Sequence, residues 1–126
     1  MTKNILVVDD NNFDRTLLSA GLSRKGDFKI IEASNGTECL EILDNQEIHL
    51  ILLDIMMPEQ EGDQVLKKIR AKFNAIEMTV IMVTSKSETS DIVSCIQNGA
   101  NDYITKPITF DVAVYRMMTH LKLSEV

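Results

Sequence analysis

Four apolar residues followed by a bare carboxylate, Leu50-Ile51-Leu52-Leu53-Asp54, constrain the fold of this chain more than any other feature. A run with no polar alternation reads as a strand buried on both faces, the kind found inside parallel sheets. Open α/β sheets bind ligands beyond the carboxyl ends of their strands, and Asp54 stands at such an end. Three further runs end in the same way. Ile5-Leu6-Val7-Val8 leads into Asp9 and Asp10, Val80-Ile81-Met82-Val83 into Thr84 and Ser85, and Asp102-Tyr103-Ile104-Thr105 into Lys106-Pro107. Three acids, two hydroxyls and one ammonium are therefore expected at one edge of one sheet. That inventory matches a divalent cation and a phosphoryl group.

The segments between these runs carry helical spacing. Strand-like runs at residues 4–8, 29–33, 50–54, 79–83 and 102–105 alternate with five amphipathic patterns. The first helix is expected to bury Phe13, Leu17, Leu18 and Leu22 on one face and to stop at Gly26. A turn at Asn35-Gly36 precedes a helix with Leu40 and Leu43 inward. Pro58 and Gly62 enforce a loop before a helix that carries Val65, Leu66 and Ile69. Ile92 and Ile96 lie one turn apart on the next helix, over residues 89–98, which Gly99 ends. Phe110, Val114, Met117 and Leu121 form the stripe of the last helix, read as core. Strands alternating with helices imply βαβ crossovers and a parallel sheet covered on both faces. A chain of 126 residues fits one domain over residues 1–126.

Composition removes several function classes. Net charge is −6 and no basic cluster appears, which argues against direct binding to nucleic acid. No apolar stretch approaches the roughly 20 residues of a membrane span, and no signal-peptide pattern opens the chain. The expectation is a cytoplasmic protein without a membrane partner. Cys39 and Cys95 fall inside helical patterns and read as small core residues, not as a disulfide framework.

The first and third strands of a doubly wound sheet are neighbours, so Asp9, Asp10 and Asp54 converge. Crowded carboxylates repel one another, and a bound divalent cation relieves that repulsion. Oxygen-only ligands favour Mg²⁺, which shares itself with a phosphate. One such aspartate alone would pass as a helix N-cap. All three at strand ends point to a site.

At these residues the chain resembles the receiver domain of two-component response regulators, over essentially its whole length. The resemblance rests on Asp9-Asp10 and on Asp54 followed by Ile-Met-Met-Pro-Glu-Gln-Glu-Gly. It rests equally on Thr84-Ser85 and on Gly99-Ala100-Asn101-Asp102-Tyr103 ahead of Lys106-Pro107. It implies an α/β, flavodoxin-like, doubly wound five-stranded parallel sheet of order 2-1-3-4-5 with five helices. It implies Asp54 as phosphoacceptor from a phosphohistidine on a histidine kinase or histidine phosphotransfer protein. By the same resemblance, Asp10 ligates Mg²⁺ directly, Asp9 acts largely through water, and Met56 lends its backbone carbonyl. Lys106 pairs with a phosphoryl oxygen, Thr84 donates its hydroxyl, and the Ser85 backbone N–H assists. The Lys106–Pro107 bond is cis in the family. Thr84 and Tyr103 resemble the family's switch pair, with the face of the fourth helix, fifth strand and last helix as output surface for an output domain, a partner or a homodimer. Asn11 stands where many relatives carry a further acid, and Met56 and Lys86 occupy positions that shape water access to the phosphoryl group.

Three rivals follow from the same residues. A Mg²⁺-dependent phosphatase of the haloacid-dehalogenase type needs a second aspartate two residues after the nucleophile, and here that position is Met56. A flavin binder needs a glycine- and hydroxyl-rich phosphate loop, whereas Asp9-Asp10-Asn11-Asn12 repels phosphate. A scaffold without phosphorylation has no use for the intact acceptor set. The expectation is a regulator that accepts and slowly loses its own phosphoryl group, not a turnover enzyme. Two organisations fit: a stand-alone regulator, or part of a longer protein in which the segment from Arg116 to Leu123 runs on into a connecting helix.

Overall fold

Lys3–Val8 (β1), Phe28–Ala33 (β2), Leu50–Asp54 (β3), Thr79–Thr84 (β4) and Asp102–Thr105 (β5) pair side by side in the computed structural model, which describes residues 2–57, 62–85 and 89–124. All four pairings are parallel and the order is β2-β1-β3-β4-β5, the doubly wound arrangement expected. The connections are helical: α1 (Asn12–Ser23), α2 (Gly36–Asn45), α3 (Gly62–Lys72), α4 (Thr89–Gln97) and α5 (Phe110–Ser124). Pro58 and Lys86 lie outside the described residues.

The unbroken apolar runs form the middle of the sheet. Every residue of β3 and β4 is buried. Alternate side chains of the central strands enter two separate cores. Leu6, Val8, Ile51, Leu53, Val80 and Met82 pack under α2, α3 and α4. Ile5, Val7, Leu50, Leu52, Ile81 and Val83 pack under α1 and α5. Each fully buried Leu, Ile or Val contributes about 1.5–3 kcal/mol relative to exposure, so the two layers clamp the sheet from both sides. Cys39 and Cys95 are buried free thiols inside the first of these cores.

Two helix faces differ from expectation. Leu18 and Leu22 are buried, but Phe13 is 75% and Leu17 54% exposed. At 100° per residue the two pairs sit roughly 140° apart around the helix, too far for one face. On α4, Cys95 takes the buried position and Ile96, the next residue round the helix, is exposed. Val65, Leu66 and Ile69 of α3, and Met117 and Leu121 of α5, are fully buried as expected. Asn35-Gly36 is not a free turn but the start of α2. The Asn35 side chain accepts from Glu38 N at 2.9 Å, and Glu38 reaches back to Ser34 N at 2.7 Å. Gly99 ends the α4 segment with φ +108°.

Candidate functional site

The strand ladders set the site. Val8 pairs with Leu53 and Asp54 with Val83, so Asp9 and Asp54 emerge beside each other. Thr84 pairs with Thr105 one step further along the sheet, which brings Lys106 to the same edge. Lys106 N donates to Thr84 O at 2.8 Å, and the Lys106–Pro107 bond is cis, as the resemblance implied.

One carboxylate oxygen each from Asp9, Asp10 and Asp54 falls within a common 4.8 Å. Asp9 is 3% and Asp54 4% exposed, while Asp10 faces solvent. Asp9 Oδ1 accepts from Asn11 N at 2.9 Å, and Asp54 Oδ1 accepts from Met56 N at 3.1 Å. Lys106 Nζ lies 3.4 Å from Asp9, 3.5 Å from Asp54 and 3.6 Å from Asp14. Burial first, then the Asp9 charge, pushes the Asp54 carboxyl up to about 6, with Lys106 and the Met56 N–H pulling the other way. Burial pulls the Lys106 ammonium down, but the charges of Asp54 and Asp9 outweigh it and hold it above the ordinary lysine value. One ammonium facing the carboxylates of Asp9, Asp54 and Asp14, with Asp10 beside them, leaves the cluster net negative. A dense set of hard oxygen donors with uncompensated negative charge fits Mg²⁺.

Thr84 is buried at the end of β4, Ser85 is exposed just beyond it, and Met56 is exposed with its backbone against Asp54. Tyr103 is half-buried on β5. The Arg116 guanidinium sits 4.9 Å from its ring centroid and donates to its carbonyl. Asp102, beside it, meets His120 at 3.0 Å and Arg116 at 3.7 Å, which ties α5 to β5.

Three supporting residues escaped the sequence reading. Gly62 starts α3 directly against Asp54: a Cβ there would lie 2.3 Å from the Asp54 carbonyl oxygen. Arg15 donates to Asp9 O at 2.6 Å and pairs with Glu32 at 3.1 Å, bracing the β1 end against β2. Asp14 joins the Lys106 cluster. Its position four residues after Asp10, inside a helical pattern, was the available signal.

The sequence profile of the response regulator receiver domain matches residues 5–117. The chain belongs to that family. It is 37% identical over 126 residues to the alkaline phosphatase synthesis transcriptional regulatory protein PhoP of Bacillus subtilis, covering 100% of this chain and 51% of the relative. It is 38% identical over 125 residues to the transcriptional regulatory protein SrrA of Staphylococcus aureus, covering 99% of this chain and 50% of the relative. The chain thus spans about half the length of these relatives. A CheY-like response regulator receiver domain protein from Methanospirillum hungatei superposes with a TM-score of 0.87 at 29% identity, covering 99% and 98% of the two chains. A probable two-component system response regulator/GGDEF domain protein gives a TM-score of 0.90 at 26% identity over 98% of this chain and 51% of that one. Among the described residues no helix of this receiver is long and apolar enough to cross a membrane.

Proposed function

We propose that residues 1–126 form one receiver unit in which Asp54 accepts a phosphoryl group from a phosphohistidine on a histidine kinase or histidine phosphotransfer protein. The observation that carries this reading is a buried Asp54 sharing one 4.8 Å cluster with Asp9 and Asp10 while Lys106 stands 3.5 Å away. Buried charges are costly, so a fold keeps such a cluster where chemistry uses it.

Asp54 is the nucleophile, and its backbone carbonyl, packed against Gly62, keeps it at the strand end. Asp10, Asp54 and the Met56 carbonyl would hold Mg²⁺, with Asp9 acting largely through water. Bound there, the ion would supply neutralisation of the charge that builds up during transfer. Lys106 adds a compact positive charge toward a phosphoryl oxygen. The Thr84 hydroxyl and the Ser85 N–H donate to the remaining oxygens. Thr84 and Tyr103 form the switch that carries the new charge to the face of α4, β5 and α5. That face controls an output domain or partner, or pairs two activated copies.

Met56 supplies no general acid two residues after Asp54, so the unit serves as a signalling acceptor with slow self-dephosphorylation, not as a phosphatase of external substrates. Incubation with acetyl phosphate and Mg²⁺ is expected to add one phosphate, read by intact mass, and none to Asp54→Asn. Unchanged incorporation into Asp54→Asn would remove Asp54 from the acceptor role.

A further inference from the structure

Lys106 Nζ is shared almost equally among three carboxylates, at 3.4 Å from Asp9, 3.5 Å from Asp54 and 3.6 Å from Asp14. The first two are buried. The Asp14 side chain is 44% exposed. It stands in the first turn of α1, where its N–H donates to the Asn11 cap at 2.9 Å. With Lys106 and Asp9 it lines a cleft of about 250 Å³ floored by Leu18, Ile108 and Phe110.

We propose that Asp14 is a positioning residue that holds Lys106 in reserve, competing with the incoming phosphoryl group for the lysine. The proposal rests on the phosphoacceptor reading of Asp54.

Lys106 Nζ donates to Asp9 Oδ2, while Asp54 and Asp14 hold the ammonium at ion-pair distance by charge. A phosphoryl group on Asp54 draws the ammonium toward itself and so away from Asp9 or Asp14. Withdrawal from Asp9 strands a buried anion, and Asp54 carries the phosphoryl group itself, so Lys106 stays beside it. Withdrawal from Asp14 exposes a carboxylate that water can solvate at once. Asp14 is therefore the partner that lets go, and its hold on Lys106 is a brake on phosphoryl acceptance. After those of Asp54 and Asp9, the Asp14 charge also helps to hold the lysine's proton affinity up. The plain alternative is that Asp14 only complements the positive end of α1. That role predicts a small loss of stability on neutralisation and no gain in rate.

The test uses acetyl phosphate with Mg²⁺. The bond between phosphorus and the acetyl oxygen breaks, a bond from phosphorus to Asp54 Oδ forms, and acetate leaves. Initial phosphate incorporation is read by intact mass in the wild type, Asp14→Asn, Lys106→Gln and the double variant. A half-exposed ion pair is weak, so Asp14→Asn is expected to raise the rate roughly two- to fivefold when Lys106 is present. It should have no effect in the Lys106→Gln background, and Asp14→Glu should stay near wild type. An equal gain in both backgrounds means that Asp14 merely repels the anionic donor and overturns the proposal. An unchanged or slower Asp14→Asn protein overturns it as well, while leaving Asp54 as acceptor. No incorporation into any of the four sinks the acceptor reading, and the Asp14 brake with it.

Discussion

Burial and the neighbouring Asp9 charge raise the Asp54 carboxyl from its ordinary 3.8 to about 6. An acid whose folded value is raised favours folding while it is protonated. That contribution is fully present below about 3.8 and is lost as pH rises through about 6. At neutral pH, without a divalent cation, ionised Asp54 therefore opposes folding. Asp54→Asn removes the charge and keeps the shape. It is expected to be more stable than wild type by on the order of 1–3 kcal/mol at pH 7.5, with the gain fading toward pH 4. Urea denaturation at the two pH values, in chelator, reads the difference. A variant no more stable than wild type at pH 7.5 would mean that the Lys106 contact offsets the cost of the Asp54 charge in full. Charge at strand ends was legible in the sequence because an acid directly after an apolar run has few structural uses. The order of the cluster's members was not legible: nothing in the spacing says that Lys106 faces Asp14 as closely as Asp54.

The elements were legible where period and burial agree. The all-apolar runs became β1, β3 and β4, and the stripes of α3 and α5 entered the core. Phe13 and Leu17 misled because apolar identity outweighed angle: Leu18 and Leu22 lie on the sheet, and the other pair points away. Close backbone approach was also hidden. Gly62 read as a loop breaker, whereas the space a Cβ would need there is filled by Asp54 O and Ile55 Cα, which reveals a helix start pressed against β3. Gly62 N also donates to Ile55 O at 2.8 Å, so the two backbones are locked together. Gly62→Ala places a Cβ 2.3 Å from that carbonyl, and backbone cannot rotate away as a side chain can. The expected cost is about 1–3 kcal/mol in a urea melt, with slower phosphate incorporation because Asp54 shifts with its carbonyl. Wild-type stability together with a wild-type rate would show that α3 can slide without disturbing β3.

At the scale of the whole molecule, the proposed acceptor edge and the α4-β5-α5 face are joined by short covalent and hydrogen-bonded steps. Asp54 pairs with Val83, and Thr84 with Thr105. Lys106 N holds Thr84 O, and Tyr103 presents its carbonyl and ring to Arg116 on α5. Asp102 adds His120 and Arg116 to the same tie. A phosphoryl group at Asp54 would add charge at the sheet edge where Thr84 and Lys106 stand, so a response should cross β4 and β5 and reach α5, not α2. Spatial connection alone does not establish coupling; a shared two-state element does. Beryllofluoride with Mg²⁺ imitates the phosphoaspartate without transfer. It is expected to shift amide NMR signals over residues 84–97 and 102–116, well beyond immediate neighbours of Asp54, while residues 36–45 stay in place. Arg116→Ala should shrink the shifts on α5 and spare those at residues 84 and 85, since it cuts the tie after Tyr103. Shifts confined to the neighbours of Asp54 in the wild type would mean that the site binds the anion without moving the face, and that output depends on the phosphoryl charge being read directly.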